Sequence, residues 1–383
     1  MIRKIISIIL VAVLALSCAS GCTQDPVQPN GVAVKQELTL DTAAISSRGQ
    51  FVETENGYYC SVHNSLLYAD KSDLTKWVLV CNDPSCKHMD YTCSADVFGG
   101  IAMRDGRLVS LRNTEDCKIE DMSGYGIYSM APDGTDLQLE YFIEESRGVN
   151  EGSYMGTFFD GNDKRYFGMS ILQNDGTYLN KILTVSENYS TVLAEAASND
   201  MSQQLIFSEG SMRGDVAFYT YIYAAQEEVF QHLYRVTDNE LEDISGILEY
   251  SPQCGYLSGD DLYHYVPEKG YYHTQISTGK SQKMMDAQLK DGIGYHFMGN
   301  FVVEHNMTYD HIPDEPQMMI YNGEQWIEVE IPADFEHTGE SVVFPLALTT
   351  EHIFFEGYST GVNSLYFINH KDPNPVLTLC RQF

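Results

Sequence analysis

One long apolar run, at 5–16 and interrupted only by Ser7, stands apart from the rest of the chain. Everywhere else the hydrophobic positions come in short alternating or aromatic bursts, separated by Gly, Asp and Asn. Alternation with a period of two marks strands with one face buried, and turn residues between such runs mark hairpins. Long stretches with helical periodicity are hard to find. The bursts also repeat. Ser65-Leu66-Leu67-Tyr68, Gly126-Ile127-Tyr128-Ser129, His232-Leu233-Tyr234-Arg235 and Ser364-Leu365-Tyr366-Phe367 hold similar places, each before a turn and another extended stretch. Met318 to Gly323 looks like the same position in a further unit. Units fall at 51–82, 97–145, 150–197, 203–247, 251–287, 294–331 and 341–380.

A period in the forties with several short strands per unit predicts an all-β β-propeller, here of about seven four-stranded blades. A single blade cannot bury both of its faces, so blades stack around an axis and share a core. Ring closure then removes the exposed first and last edges. The 26 Tyr and 17 Phe have a plain use in blade-to-blade packing. A pair of β-sandwiches is the rival architecture.

The apolar run has a different meaning. Arg3 and Lys4 precede it, and small residues ending in Gly21-Cys22 follow it. Basic start, short hydrophobic stretch and small-residue cleavage site make a secretory signal. The run is too short to span a bilayer, which takes roughly 20 apolar residues. Ala19-Ser20-Gly21-Cys22 resembles the bacterial lipobox, so Cys22 is the expected lipidated residue, with Cys18 as the fallback. The chain thus divides into a signal peptide and lipobox at 1–22, a tether at 23–45 and a propeller domain at 46–383. The expected location is the extracellular face of the cell membrane, held by a lipid anchor.

Charge narrows the partners. With 23 Lys and Arg against 54 Asp and Glu, the formal net charge is −31, scattered rather than in blocks. Such a surface repels phosphate backbones and anionic lipid, so no nucleic-acid partner is expected. Past the lipobox lie Cys60, Cys81, Cys86, Cys93, Cys117, Cys254 and Cys380. Export permits disulfides, but an odd number leaves one thiol over.

Cys81, Cys86, His88 and Cys93 form the most unusual motif. Three thiols and an imidazole can close a tetrahedral zinc site. The rival is a disulfide, Cys86–Cys93 or Cys81–Cys93, pinning a long loop between the first two units. Either role is structural, and no other cofactor is expected. The stretches Asn56-Gly57-Tyr58-Tyr59, Leu79 to His88 and Thr92-Cys93 resemble the opening of β-propeller lipoproteins of gut-dwelling Firmicutes. The turn Asp133-Gly134-Thr135 is similar to those of TolB-like propellers. These resemblances imply a fold and a surface location, and no activity.

Other motifs carry less. Gly357-Tyr358-Ser359-Thr360-Gly361 matches the hydrolase elbow, but that motif needs a helix after the Ser and an acid and then a His beyond it. Here strand formers follow, which predicts a hairpin. Arg213-Gly214-Asp215 spells an adhesion tripeptide, and three residues match readily by chance. His296, His305, His311 and His352 lack ligand spacing. Glu304 and Glu356 are the acids placed late in strands that could line an axis. The expected function is binding of an extracellular ligand: a glycan, a peptide or a protein partner. The alternatives are a glycan-active enzyme with carboxylates at the propeller centre, and a structural subunit of a membrane-associated complex.

Overall fold

A computed structural model describes 45–46 and, from 50 to 382, the strands and most of the turns joining them. Outside the description lie 1–44, 47–49, 89–92, 114–123, 148–153, 199–204, 213–216, 248–253, 290–293, 308–314 and 336–341, with shorter gaps elsewhere. Side chains are described chiefly in blades 1, 2, 5, 6 and 7.

Strand β1 is Ile45–Ser46. Blade 1 is β2 (Phe51–Glu53), β3 (Gly57–Val62), β4 (Ser65–Asp70) and β5 (Val78–Leu79). Blade 2 is β6 (Phe98–Arg104), β7 (Arg107–Asn113), β8 (Tyr125–Met130) and β9 (Gln138–Ile143). Blade 3 is β10 (Tyr154–Gly161), β11 (Lys164–Leu172), β12 (Tyr178–Ser186) and β13 (Tyr189–Ser198). Blade 4 is β14 (Leu205–Met212), β15 (Ala217–Ala225), β16 (Glu228–Thr237) and β17 (Glu240–Asp243). Blade 5 is β18 (Cys254–Ser258), β19 (Asp261–Val266), β20 (Gly270–Gln275) and β21 (Lys280–Met285). Blade 6 is β22 (Gly294–Met298), β23 (Phe301–His305), β24 (Met318–Tyr321) and β25 (Trp326–Glu328). Blade 7 is β26 (Val342–Leu348), β27 (His352–Ser359), β28 (Val362–Asn369) and β29 (Thr378–Gln382).

Every blade is an antiparallel meander with its strands in chain order, as expected for units that alternate apolar and turn residues. The first strands of successive blades lie against one another, from β2 and β6 through to β22 and β26. Strand β1 adds itself to β26, with Ile45 opposite Leu348 and Ser46 opposite Ala347. The chain's first described segment is thereby joined to its last sheet, which closes the ring. Ile45, assigned to the tether from the pattern alone, is already paired. The protein is a seven-bladed β-propeller, and all seven units read from the sequence coincide with blades.

The core is divided among blade boundaries. Between blades 7 and 1, Phe51, Tyr58, Cys60, Leu67 and Trp77 meet Leu346, Ala347, Phe354, Leu365 and Cys380. Between blades 1 and 2, Val52, Tyr59, Leu66 and Val80 meet Val97, Ile101, Leu108 and Met130. Between blades 2 and 3, Val109, Leu111, Ile127 and Ile143 meet Leu183. Burying one such large side chain stabilises the fold by about 1.5–3 kcal/mol, so each junction is held chiefly by apolar area.

Strand alternation also sorts the connections. Links from second to third strands leave from the same end of the ring as the crossovers between blades. The links 80–97, 114–124, 306–317 and 329–341 all belong to that end. Each is longer than 370–377, the longest link at the other end.

Candidate metal centre

The crossover from blade 1 to blade 2 carries the cysteine–histidine motif. It starts where Val80 donates its N–H to the Leu66 carbonyl (2.9 Å), extending the outer edge of blade 1. Cys81 follows at once. Asp83 then folds a tight turn: its Oδ1 accepts the Ser85 N–H (2.8 Å) and hydroxyl (2.7 Å), and its carbonyl accepts the Cys86 N–H (3.1 Å). Short acids favour such turns because the side chain replaces a backbone acceptor. His88 takes the left-handed conformation, φ +55°. That conformation costs a residue with a Cβ about 1–2 kcal/mol. Here it accompanies an imidazole whose Nδ1 lies 3.4 Å from Cys93 Sγ.

Four donor atoms, one each from Cys81, Cys86, His88 and Cys93, lie within 4.8 Å of one another. The three cysteines are free thiols, as are Cys60 and Cys380 among the described residues. Neither pairing expected as an alternative, Cys86–Cys93 or Cys81–Cys93, is formed. Each sulfur takes a backbone N–H from two residues further on. Asp83 serves Cys81, His88 serves Cys86 (3.4 Å) and Ala95 serves Cys93 (3.4 Å).

Blade 2 grips the far side of the loop. Arg112 on β7 is 3% exposed, and its guanidinium donates to the carbonyls of Cys93 (2.6 Å) and Ser94 (2.8 Å). Ser94 Oγ donates to the Val80 carbonyl (3.1 Å), tying the loop's end to its start. Gly134, at φ +83°, brings the turn after β8 against the same carbonyl. A Cβ there would sit 2.6 Å from Val80 O, so no other residue fits without displacing backbone. Tyr59 of blade 1 donates its hydroxyl to the Pro132 carbonyl (3.2 Å) beside it. The cluster opens on a cavity of about 710 Å³, lined among others by Asp83, Lys87, Thr135 and Asp136.

The sulfurs differ in acidity. Burial raises the Cys81 thiol, but hydrogen bonds from the Asp83 N–H, Ser94, Cys93 and Cys86 outweigh it, leaving its pKa below the ordinary thiol value. Cys93 is pushed up to about 12, first by burial and then by its two sulfur neighbours, against the Ala95 N–H that lowers it. The Cys81 thiolate is therefore formed more readily than that of Cys93.

The remaining candidates scatter. Ser359 ends β27 and faces Val362 of β28, so the elbow-like motif is a hairpin and Ser359 is not a nucleophile on a strand-to-helix turn. Arg213-Gly214-Asp215, His311, Cys117, Cys18 and Cys22 lie outside the described residues. Glu304 is fully buried and accepts from the Tyr271 hydroxyl (2.7 Å) and the N–H groups of Gln288 (2.9 Å) and Leu289 (3.0 Å). Burial holds its pKa above the usual carboxylate value. Glu356 pairs with His63 across the blade 7–1 boundary (3.1 Å). Each acid is occupied by its own partners, on different blades. His296 stacks on His305 at 5.4 Å, while His352 is buried against Tyr58.

No protein-family model matches the chain, and no curated protein matches it. Solved structures similar to it are propellers at the limit of recognition. The propeller domain of the Trilobed protease from Pyrococcus furiosus is 10% identical, with 88% of this chain and 95% of that one covered, at a TM-score of 0.45. The WD40 domain of SCAP from fission yeast is 10% identical over 88% and 87%, at 0.40. The computationally designed Ika8 protein is 10% identical over 88% and 87%, at 0.42. Scores this low carry no argument, and the fold assignment rests on the seven sheets of the chain itself.

Proposed function

We propose that this propeller is a surface-tethered binding protein rather than an enzyme. Lipid at Cys22 anchors it to the outer face of the membrane, and the polar, proline-bearing tether at 23–45 links that anchor to the propeller. The observation that carries the reading is the lopsided distribution of connections. The strand ends joined by 80–97, 114–124, 306–317 and 329–341 all lie at one end of the ring, and the longest link at the other end is the shorter 370–377. Loops on a rigid scaffold are where recognition residues concentrate, and loops from several blades surround one mouth. Glu304 and Glu356, the acids placed late in strands that could line an axis, are each locked in separate networks, which favours binding over hydrolysis. A glycan, a peptide or a protein partner fits this surface, and nucleic acid is disfavoured by the charge of −31.

Glycan-array binding with a parallel hydrolysis screen on the full-length protein tests the proposal. Binding without product is expected. Replacing 306–317 by a tight turn should abolish it, and exchanging 322–325 at the opposite end for another tight turn should leave it intact. Released product would move the assignment to the glycan-active enzyme. Palmitate incorporation lost in Cys22→Ala and kept in Cys18→Ala tests the anchor. The reverse pattern would move the anchor to Cys18.

A further inference from the structure

We propose that Cys81, Cys86, His88 and Cys93 bind one zinc ion, which clasps blade 1 to blade 2. Convergence is the first argument. A disulfide uses two sulfurs and leaves the third thiol and the imidazole without a task. Here all four donor atoms lie within 4.8 Å of one another. A tetrahedral ion with Zn–S bonds of about 2.3 Å sets its donors about 3.7 Å apart, so loop side chains need adjust by no more than about 1 Å. His88 Nδ1 and Cys93 Sγ, at 3.4 Å, already stand near that spacing.

The hydrogen bonds give the second argument. All three sulfurs accept an N–H from two residues on, which orients a lone pair and stabilises negative charge on sulfur. A disulfide sulfur carries no such charge to stabilise. Donors behind the ligating atoms are the usual outer shell of a thiolate metal site. On binding, three thiols lose their protons to solvent while the imidazole stays neutral, and the ion reduces the three negative charges to one. The three N–H groups then face that residual charge.

Position gives the third. The donors sit where the outer edge of blade 1 passes into blade 2, between Val80 and the carbonyls held by Arg112. The adjoining cavity leaves an entry path for a hydrated ion. The site has no water-activating role in this arrangement, because four protein donors complete a tetrahedron.

Full-length lipidated protein, purified in detergent without chelator, should contain one zinc per chain by elemental analysis and native mass spectrometry. Cobalt in its place should show thiolate-to-metal charge-transfer bands and the visible spectrum of a tetrahedral ion. Cys86→Ser should lose the zinc, and His88→Ala should bind it at least about tenfold more weakly. Cys60→Ala should keep it. Both Cys86 and His88 lie on the loop, so an unchanged far-ultraviolet circular dichroism spectrum separates loss of metal from loss of fold. Protein without zinc that fails to take it up would overturn the proposal, whether its mass shows free thiols or the loss of two hydrogens that marks a disulfide.

Discussion

Cysteines on the two sides of blade 1 live in opposite surroundings. At the 7–1 junction, Cys60 and Cys380 are buried among Phe51, Tyr58, Trp77, Leu346 and Phe354. Burial drives both thiols far above their ordinary pKa, with the charge of Glu356 adding to the effect at Cys60. At the 1–2 junction, Cys81 and Cys86 are only partly buried, three backbone N–H groups face the sulfurs, and the Cys81 thiol is held down. The same residue type acts as a small apolar filler on one side and as a donor on the other. What differs is not sulfur but the neighbours: aromatic rings in one case, a polar crossover in the other. One junction is held by packing from strands, and the other adds a clasp in a loop.

The largest effect should come from the packed junction. Phe354 is fully buried, with its ring 4.6 Å from Phe51, 5.1 Å from Tyr58 and 5.8 Å from Trp77. Phe354→Ala removes its transfer energy and leaves a cavity, and should cost about 3–5 kcal/mol in urea denaturation. Zinc content of the folded fraction should not change. A cost below about 1 kcal/mol would mean that aromatic packing does not hold the ring closed.

A somewhat smaller effect belongs to the clasp. Arg112 crosses from blade 2 to the carbonyls of Cys93 and Ser94, with Tyr128 beneath its guanidinium at 5.9 Å. Arg112→Ala leaves two acceptors without their donor in a buried setting, at about 1–3 kcal/mol each where water cannot replace it. Destabilisation of about 2–4 kcal/mol is expected, and zinc affinity should fall with it because Cys93 loses its backbone support. If stability falls and zinc affinity holds, Arg112 serves packing alone, and the two junctions are more alike than their cysteines suggest.

How much of this contrast was legible in the chain follows from the range of each interaction. Blades were readable because strands such as Arg107–Asn113 and His352–Ser359 are short apolar or aromatic bursts written within a few residues. Strand β1 was not: Ile45 and Ser46 are too few to show a pattern, and their partners, Leu348 and Ala347, lie at the far end of the chain. The spacing of Cys81, Cys86, His88 and Cys93 named the candidate donors. It could not separate zinc from a disulfide, because that turns on the His88 backbone and on the N–H donors of Asp83, His88 and Ala95. Arg112 and Gly134 were invisible as site residues, since only the stacking of blade 2 on blade 1 brings them to the loop. Glu304 and Glu356 drew notice in the sequence only because both sit late in strand-like runs that could line an axis. Tyr271 and His63, each from a neighbouring blade, claim them instead.

The smallest perturbation tests the contrast most directly, since it changes no residue. Alkylation by iodoacetamide requires a thiolate that the reagent can reach. In native protein stripped of metal by a chelator, Cys86 and Cys81 should be carboxamidomethylated first, because both are partly exposed and Cys81 is more acidic than a free thiol. Cys93 should follow slowly, being 4% exposed and pushed up to about 12. Cys60 and Cys380, at 0% and 7% exposure with thiols raised by burial, should react only once denaturant opens the 7–1 junction. Peptide mapping by mass spectrometry reads each site separately, and added zinc should protect the first three alone. Labelling of Cys60 or Cys380 in native buffer at the rate of Cys86 would show that the aromatic junction opens as readily as the crossover loop. The difference between a packed seam and a clasped one would then not survive.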